Sequence, residues 1–107
     1  MKKDPIKVLI KEPGKEPERA VIPNKLRSLQ KIVGGYIEAV TMNDDVVMLV
    51  NEAGKILGLE ENFLISRPFR DVIVGTAVFL GVDGDDFTDF PFEKYKDLEE
   101  VIDYDRA

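Results

Sequence analysis

Short apolar runs separated by turn residues recur along the whole chain, and this pattern constrains the fold more than any other feature. Ile6, Val8 and Ile10 alternate with other residues, and such period-2 alternation is typical of a strand with one buried face. Two prolines and one glycine in residues 12–17 then require a turn, and a second short apolar run ends at residue 22. We therefore predict a β-hairpin over residues 6–22.

Two segments carry apolar residues at helical spacing instead. Residues 24–33 form one apolar stripe, with Asn24 as a suitable N-cap and Gly34-Gly35 as a helix stop. Residues 89–103 form the second, because their apolar side chains fall on one helical face. That face would consist of Phe92, Tyr95, Leu98, Val101 and Ile102.

Residues 36–81 are predicted to form the rest of the sheet. Residues 46–50 are apolar at every position, which indicates a central strand covered on both faces. A short strand over residues 56–59 and a single helical turn opening at residues 60–62 follow in this interpretation. A last strand spans residues 71–81.

Gly75 interrupts that last strand, which suggests a bulge or a close approach by another backbone or a ligand. The order of elements predicts an α+β fold: a single domain with a mostly antiparallel sheet of about five strands and two amphipathic helices packed on it. A chain of 107 residues has room for one core.

Composition removes several classes of function. The chain has no cysteine, histidine or tryptophan, so disulfides, thiolate nucleophiles, Cys/His zinc sites and histidine-based catalysis are excluded. The acidic loop at residues 83–86 lacks the spacing of an EF-hand. We expect no enzymatic activity, no catalytic residues, no cofactor and no metal. Without a signal segment or an apolar span, we also expect a soluble cytoplasmic protein.

Several short motifs occur together in a fixed order. They are Val33-Gly34-Gly35-Tyr36-Ile37-Glu38, then Asn51-Glu52-Ala53-Gly54-Lys55, then Gly75-Thr76. With these motifs the chain resembles domain of unknown function family 3846, small uncharacterised proteins of Firmicutes, phages, plasmids and conjugative elements. The resemblance implies an accessory protein of a mobile element. It implies no activity and no site residues.

Charge is unevenly distributed along the chain. Residues 1–35 carry nine basic and four acidic residues, whereas residues 36–107 carry six basic and seventeen acidic ones. A solvated acidic surface explains this bias, but an acidic face that imitates the phosphate row of DNA or docks on a basic partner explains it as well. Our main hypothesis is protein–protein interaction through an acidic surface, with a partner of unknown identity. The candidate contact residues are Asp85, Asp86, Asp89, Glu93, Asp97 and Glu100.

The alternative is a module that binds a small ligand such as a nucleotide or a signalling molecule. Amide, guanidinium and hydroxyl groups could bind it in a pocket. The candidate residues are Tyr36, Asn51, Asn62, Arg67, Arg70 and Thr76. Ordinary structural roles in turns, surface ion pairs and strands would explain these residues as well.

Three further expectations concern partners. We expect no membrane association, and no direct binding to nucleic acid because the pI is about 4.7. The basic residues near the N-terminus are interpreted as a solvated strand and helix face. These are Lys7, Lys11, Lys15, Arg19, Lys25, Arg27 and Lys31. A homodimer through an exposed edge at residues 6–11 is a further hypothesis.

Overall fold

The fold consists of antiparallel strands with little helix. The computed structural model describes residues 2–106, and within that range it contains nine strands, two α-helices and one 3-10 turn. The strands are β1 (Ile6–Lys11), β2 (Glu18–Ile22), β3 (Ile37–Thr41), β4 (Val46–Asn51), β5 (Glu61–Arg67), β6 (Asp71–Val74), β7 (Ala77–Asp83), β8 (Asp86–Thr88) and β9 (Asp103–Arg106). The helices are α1 (Leu26–Val33) and α2 (Gly54–Leu57), and the 3-10 turn spans Leu98–Glu100.

The strands form two sheets. The first has the order β2-β1-β7-β4-β3, and β8 pairs with the end of β7. The second has the order β6-β5-β9. Every pairing in both sheets is antiparallel. The α+β, mostly antiparallel class is therefore confirmed, but the prediction of one sheet of about five strands is wrong.

Three layers bury the apolar residues. Helix α1 covers one face of the first sheet, where Leu29 and Val33 pack with Val47 and Leu49. The second sheet covers the other face, where Met48 of β4 packs in the cluster that contains Phe63 and Phe79. All six residues of β4 are buried. The prediction of a central strand covered on both faces is confirmed.

The predicted hairpin at residues 6–22 is also present. Its register pairs Ile6 with Ile22 and Val8 with Ala20. The other side of β1 pairs with β7. Because β1 has a neighbour on each side, the expectation that residues 6–11 form an exposed edge is wrong, whereas the homodimer itself stays a prediction. The edges of the first sheet are β2 and β3.

Helix α1 ends as predicted but begins differently. Gly34 has φ 80°, and its N–H donates to the carbonyl oxygen of Gln30 at 2.8 Å, which ends the helix. Asn24, the predicted N-cap, is buried and donates through Nδ2 to the carbonyl oxygens of Lys3 (2.7 Å) and Phe87 (2.9 Å). Its side chain therefore joins the N-terminal segment to β8, and the helix begins two residues later.

The middle of the chain departs from the prediction at two places. Residues 56–59, predicted as a strand, belong largely to α2 and the turn after it. Ile56 and Leu57 are exposed and form no strand pairing. Residues 60–62, predicted to open a helical turn, lead into β5 instead. Phe63 and Ile65 of β5 are both fully buried, and this two-residue spacing was the available strand signal.

Gly75 divides the segment that the sequence predicts as one strand over residues 71–81. Its φ of 70° is a conformation that other residues rarely adopt, and its N–H donates to the carbonyl oxygen of Glu60 at 2.8 Å. The chain leaves the second sheet after β6 and enters the first sheet as β7. An added Cβ at Gly75 would lie 2.8 Å from Cδ1 of Leu59, so the close neighbour is a side chain and not the predicted second backbone or ligand.

The predicted C-terminal helix over residues 89–103 is wrong. Backbone turns begin at Pro91, and only one 3-10 turn forms, closed by a reciprocal capping box between Asp97 and Glu100. The last strand, β9, then pairs with β5 and completes the second sheet. Of the residues predicted for one helical face, Leu98 and Ile102 enter the core without a helix, and Phe92, Tyr95 and Val101 pack against it half-buried.

Candidate functional site

A groove lies between the open edges of the two sheets, and residues of the edge strands β3 and β6 line it. Its volume is about 440 Å³. Strand β4, helix α2, Glu52 in the turn between them, and Phe69 contribute the remaining lining. The apolar lining includes Val40, Met48, Val50, Phe69, Ile73 and Val74.

Strand pairing explains how β3 contributes to this groove. Glu38 lies opposite Val50, and Val40 lies opposite Met48. Residues directly opposite each other in a sheet point to the same face, so Glu38 and Val40 share the face that packs toward the second sheet. Because β3 is an edge strand, these side chains border the groove and are not covered by a further strand.

The rim of the groove is mostly acidic. It carries Glu38, Glu52 and Asp71 against a single basic residue, Lys55. Nζ of Lys55 on α2 pairs with Oδ1 of Asp71 on β6 at 2.5 Å. Two carboxylates, those of Glu38 and Glu52, therefore remain in excess and favour a positively charged occupant.

Exposed apolar side chains lie at the same groove. Ile56 is 91% exposed and Val72 is 38% exposed, and both line it. Tyr36 is 75% exposed, and its carbonyl oxygen accepts the N–H of Glu52 at 2.9 Å, which places it beside the rim. Grouped exposed apolar residues with a polar rim are typical of an interaction surface.

The residues proposed for a small ligand do not come together here. Asn51 is the only one of the six that lines this groove. Its Nδ2 donates to the carbonyl oxygen of Val33 at 3.2 Å, and its Oδ1 accepts the N–H of Ala53 at 2.8 Å. Arg67 is exposed beside Asp103, with 3.5 Å between Nε and Oδ2. The side chains of Tyr36 and Arg70 are exposed, and Thr76 is half-buried.

Asn62 has a structural role, because its buried side chain connects neighbouring strands. It is 2% exposed and donates through Nδ2 to the carbonyl oxygens of Lys11 (2.7 Å) and Gly75 (2.8 Å). Its Oδ1 accepts from Nζ of Lys11 at 2.8 Å. These three bonds connect β5 with β1 and with the turn between β6 and β7.

Lys11 is a residue whose role the sequence interpretation missed. It was assigned to a solvated face, but it is only 2% exposed and also donates to the carbonyl oxygen of Glu12 at 2.9 Å. Its position two residues after Leu9, which packs between the sheets, was the available signal. The other basic residues of that group lie at exposed or half-buried positions.

The six acidic residues proposed for partner binding do not share one helix face, because Asp86 begins strand β8 and the other five lie on turns and loops. Glu100 accepts the N–H of Lys96 at 2.6 Å and that of Asp97 at 3.2 Å, so it stabilises the turn. Asp89 pairs with Lys3 and accepts the N–H of Lys7 at 2.8 Å. The exposed members are Asp85, Asp86, Glu93, Asp97 and Glu100.

Asp89 also gives a prediction on pH. Burial raises the pKa of Asp89, but the Lys3 ammonium and the Lys7 N–H lower it more, so its pKa lies below the usual 3.8. Its contribution to stability is therefore present above about pH 4 and lost as the pH falls through the folded pKa. We expect Asp89→Asn to lower the free energy of unfolding by up to about 1 kcal/mol at pH 7 and by progressively less as the pH falls below about 4.

Urea unfolding of both proteins at pH 7, 5 and 3 measures this difference. Asp85→Asn is the matched control, because Asp85 is an exposed acid on the nearby β7–β8 turn, and it should change stability by less than about 0.5 kcal/mol. An Asp89→Asn difference that is the same at pH 3 and pH 7 would contradict the role of the ion pair.

Within residues 2–106, no group of three or more acidic side chains is placed to hold a metal ion. No helix in that part of the chain is long and apolar enough to cross a membrane.

Comparison with protein families gives one match. The model of the family described as "Domain of unknown function (DUF3846)" matches residues 6–103. Neither the curated proteins nor the solved structures contain a match. The family resemblance found in the sequence motifs is confirmed over nearly the whole chain.

Proposed function

We propose that this chain, which belongs to the family Domain of unknown function (DUF3846), acts by binding another protein and performs no catalysis itself. The groove between β3 and β6 is its contact surface. We place the chain among accessory proteins of mobile elements, as the family resemblance implies. The observation that carries the proposal is the position of exposed Ile56 and Val72 on a groove with an apolar lining.

The acidic rim supports a basic partner. Glu38 and Glu52 are exposed at the groove, and the net charge of the chain is −6. Like charges repel an acidic partner and attract a basic one, which raises the association rate. The acidic surface of the original hypothesis is thus retained, but its residues are different. Asp89 and Glu100 already hold local structure, whereas Glu38 and Glu52 are exposed at the rim and available to a partner.

A small ligand is the second candidate. The volume of about 440 Å³ lies in the range of ligand sites. Such sites also need convergent polar groups with free hydrogen-bonding capacity. Asn51 has both ends of its amide engaged, and neither Arg67 nor Arg70 lines the groove. A protein partner is therefore the stronger proposal.

The test compares two exposed apolar residues. We expect Ile56→Asp to abolish capture of the partner from bacterial lysate, while Val21→Asp leaves it unchanged. Val21 is the matched control because it is 64% exposed and lies on β2, the opposite edge of the same sheet. Both substitutions are at the surface, so each should change the free energy of unfolding by less than about 0.5 kcal/mol.

Quantitative mass spectrometry of the captured proteins gives the readout. A protein retained by Val21→Asp and lost with Ile56→Asp supports the proposal. Equal capture by both variants contradicts it. A nucleotide panel in thermal unfolding tests the second candidate, since a ligand that binds the folded state raises Tm. A rise with one nucleotide that Ile56→Asp abolishes would favour the small ligand over the protein partner.

A further inference from the structure

The outer edge of β3 has backbone groups that are free to pair. Strand β3 pairs only with β4 among the described strands. The carbonyl oxygen of Tyr36 accepts from Glu52, and the N–H of Met42 donates to Val46. Hydrogen bonding alternates along an antiparallel strand, so even-numbered residues of β3 bond inward to β4. The N–H and C=O groups of Ile37, Ala39 and Thr41 therefore point outward.

This edge has less of the usual protection against further pairing than β2, the opposite edge of the sheet. Natural edge strands carry prolines, lysines or bulges that block an additional strand. Strand β2 lies between Pro17 and Pro23 and contains Arg19. Strand β3 contains no proline and no basic residue, Glu38 is its one charged residue, and its pairing with β4 runs without a register shift. It is thus the more receptive edge of the first sheet.

We propose that β3 binds an extended segment of a protein partner as an additional antiparallel strand. This rests on the function proposed above and specifies the partner. All strand pairings in the fold are antiparallel, and antiparallel pairing is slightly the more stable per residue. The backbone of the segment supplies affinity through Ile37, Ala39 and Thr41, and its side chains supply specificity in the groove.

The groove also fixes the sequence pattern of the segment. Two of its side chains point to the groove face, one opposite Val40 and one opposite Glu38. An apolar residue fits beside Val40, and a lysine or arginine fits beside Glu38 and Glu52. Because the segment runs antiparallel to β3, the residue opposite Val40 comes first. The partner therefore carries an apolar residue followed two positions later by a basic residue.

The first test is selection from a phage-displayed library of random 12-residue peptides against the full chain. We expect enrichment of the apolar-x-basic pattern. Ala39→Pro should weaken binding of the selected peptides about tenfold or more, since the proline ring removes the outward N–H and obstructs a new strand. Proline is tolerated at an outward-facing edge position, so this variant should remain folded. Enrichment of another pattern would overturn the proposal.

The second test leaves the protein unchanged. In a selected peptide, the middle residue of the pattern lies opposite Ala39 and exchanges hydrogen bonds with it. We expect N-methylation of that amide to weaken binding about tenfold or more, and N-methylation of the following basic residue's amide to leave it nearly unchanged. Equal effects at the two positions would overturn strand addition.

Three outcomes separate this proposal from the function it rests on. Peptides lost with Ile56→Asp but not with Ala39→Pro would leave groove binding intact and overturn strand addition. Peptides lost with neither variant would overturn both. Light scattering tests a second copy as occupant: a dimer that Ala39→Pro converts to a monomer would mean that β3 pairs with itself and would overturn the assignment to a foreign segment.

Discussion

Asn62→Ala is expected to lower the free energy of unfolding by about 3–5 kcal/mol. The substitution removes one buried acceptor and two buried donor bonds at once. The carbonyl oxygens of Lys11 and Gly75 and the ammonium of Lys11 each lose a partner. A buried polar group without its partner costs about 1–3 kcal/mol, and a charged one costs more. The loss is therefore a large part of the roughly 5–15 kcal/mol that stabilises a domain.

Urea unfolding followed by circular dichroism measures this loss. Ser66→Ala is the matched control on the same strand, because Ser66 is exposed and donates one bond of 3.3 Å to the carbonyl oxygen of Asp103. It should change stability by less than about 0.5 kcal/mol. A loss below about 1 kcal/mol for Asn62→Ala would mean that water satisfies the three groups and that the network is not structural.

A double-mutant cycle with Lys11→Met examines the coupling between the two side chains. Lys11→Met removes the ammonium, so no buried charge is left without a partner when Asn62 is also substituted. We expect the sum of the two single-variant losses in unfolding free energy to exceed the loss of the double variant by at least about 1 kcal/mol. The reason is that substitutions of directly bonded groups do not have additive effects. The two carbonyl oxygens still lose their donors, so the double variant stays less stable than the native protein.

The elements predicted correctly are those whose signals are local. The hairpin at residues 6–22, the stop of α1 at Gly34 and the buried strand β4 each follow from a few adjacent residues. Alternation, a glycine with positive φ and a continuous apolar run act within one element. No distant part of the chain is needed to explain them.

The errors occur where distant segments decide the structure. Apolar spacing in residues 89–103 fits a helix, but β5 takes β9 as its second neighbour, and a helix there would leave that side of the sheet unpaired. Gly75 was recognised as unusual, yet only the two-sheet arrangement explains why the chain changes sheet there. Tertiary pairing overrides local propensity in both cases.

The candidate site was hidden from sequence analysis for the same reason. Its apolar lining comes from two sheets and α2, and these elements are far apart in the chain. The sequence predicts ligand binding by polar residues such as Asn51 and Asn62, but buried amides more often bond to backbone groups, as both do here. Ile56 and Val72 gave no signal, since a single exposed apolar residue is ordinary.

Gly81→Ala is expected to lower the free energy of unfolding by about 3 kcal/mol. The added methyl group would overlap the carbonyl oxygen of Asp89 and lie 3.1 Å from its carbonyl carbon. Both are backbone atoms, so no side-chain rotation relieves the clash. The segment is also fixed, because Asp89 accepts the N–H of Lys7 and Phe90 donates to the carbonyl oxygen of Lys7 at 2.8 Å. Overpacking of this kind costs about 1–3 kcal/mol or more.

Gly84→Ala separates this steric effect from the conformational freedom of glycine. Gly84 has φ 62° and open space around it, so its substitution should cost only about 1–2 kcal/mol of backbone strain. Urea unfolding of both variants should give the larger loss of unfolding free energy for Gly81→Ala. Gly81→Ala should also speed amide exchange at Phe90, because the hydrogen bond from Phe90 to Lys7 must break for the segment to move. Equal losses of unfolding free energy, with amide exchange at Phe90 unchanged, would contradict the clash. The expected result would mean that contact between β7 and the segment after β8 fixes the path of the chain toward β9.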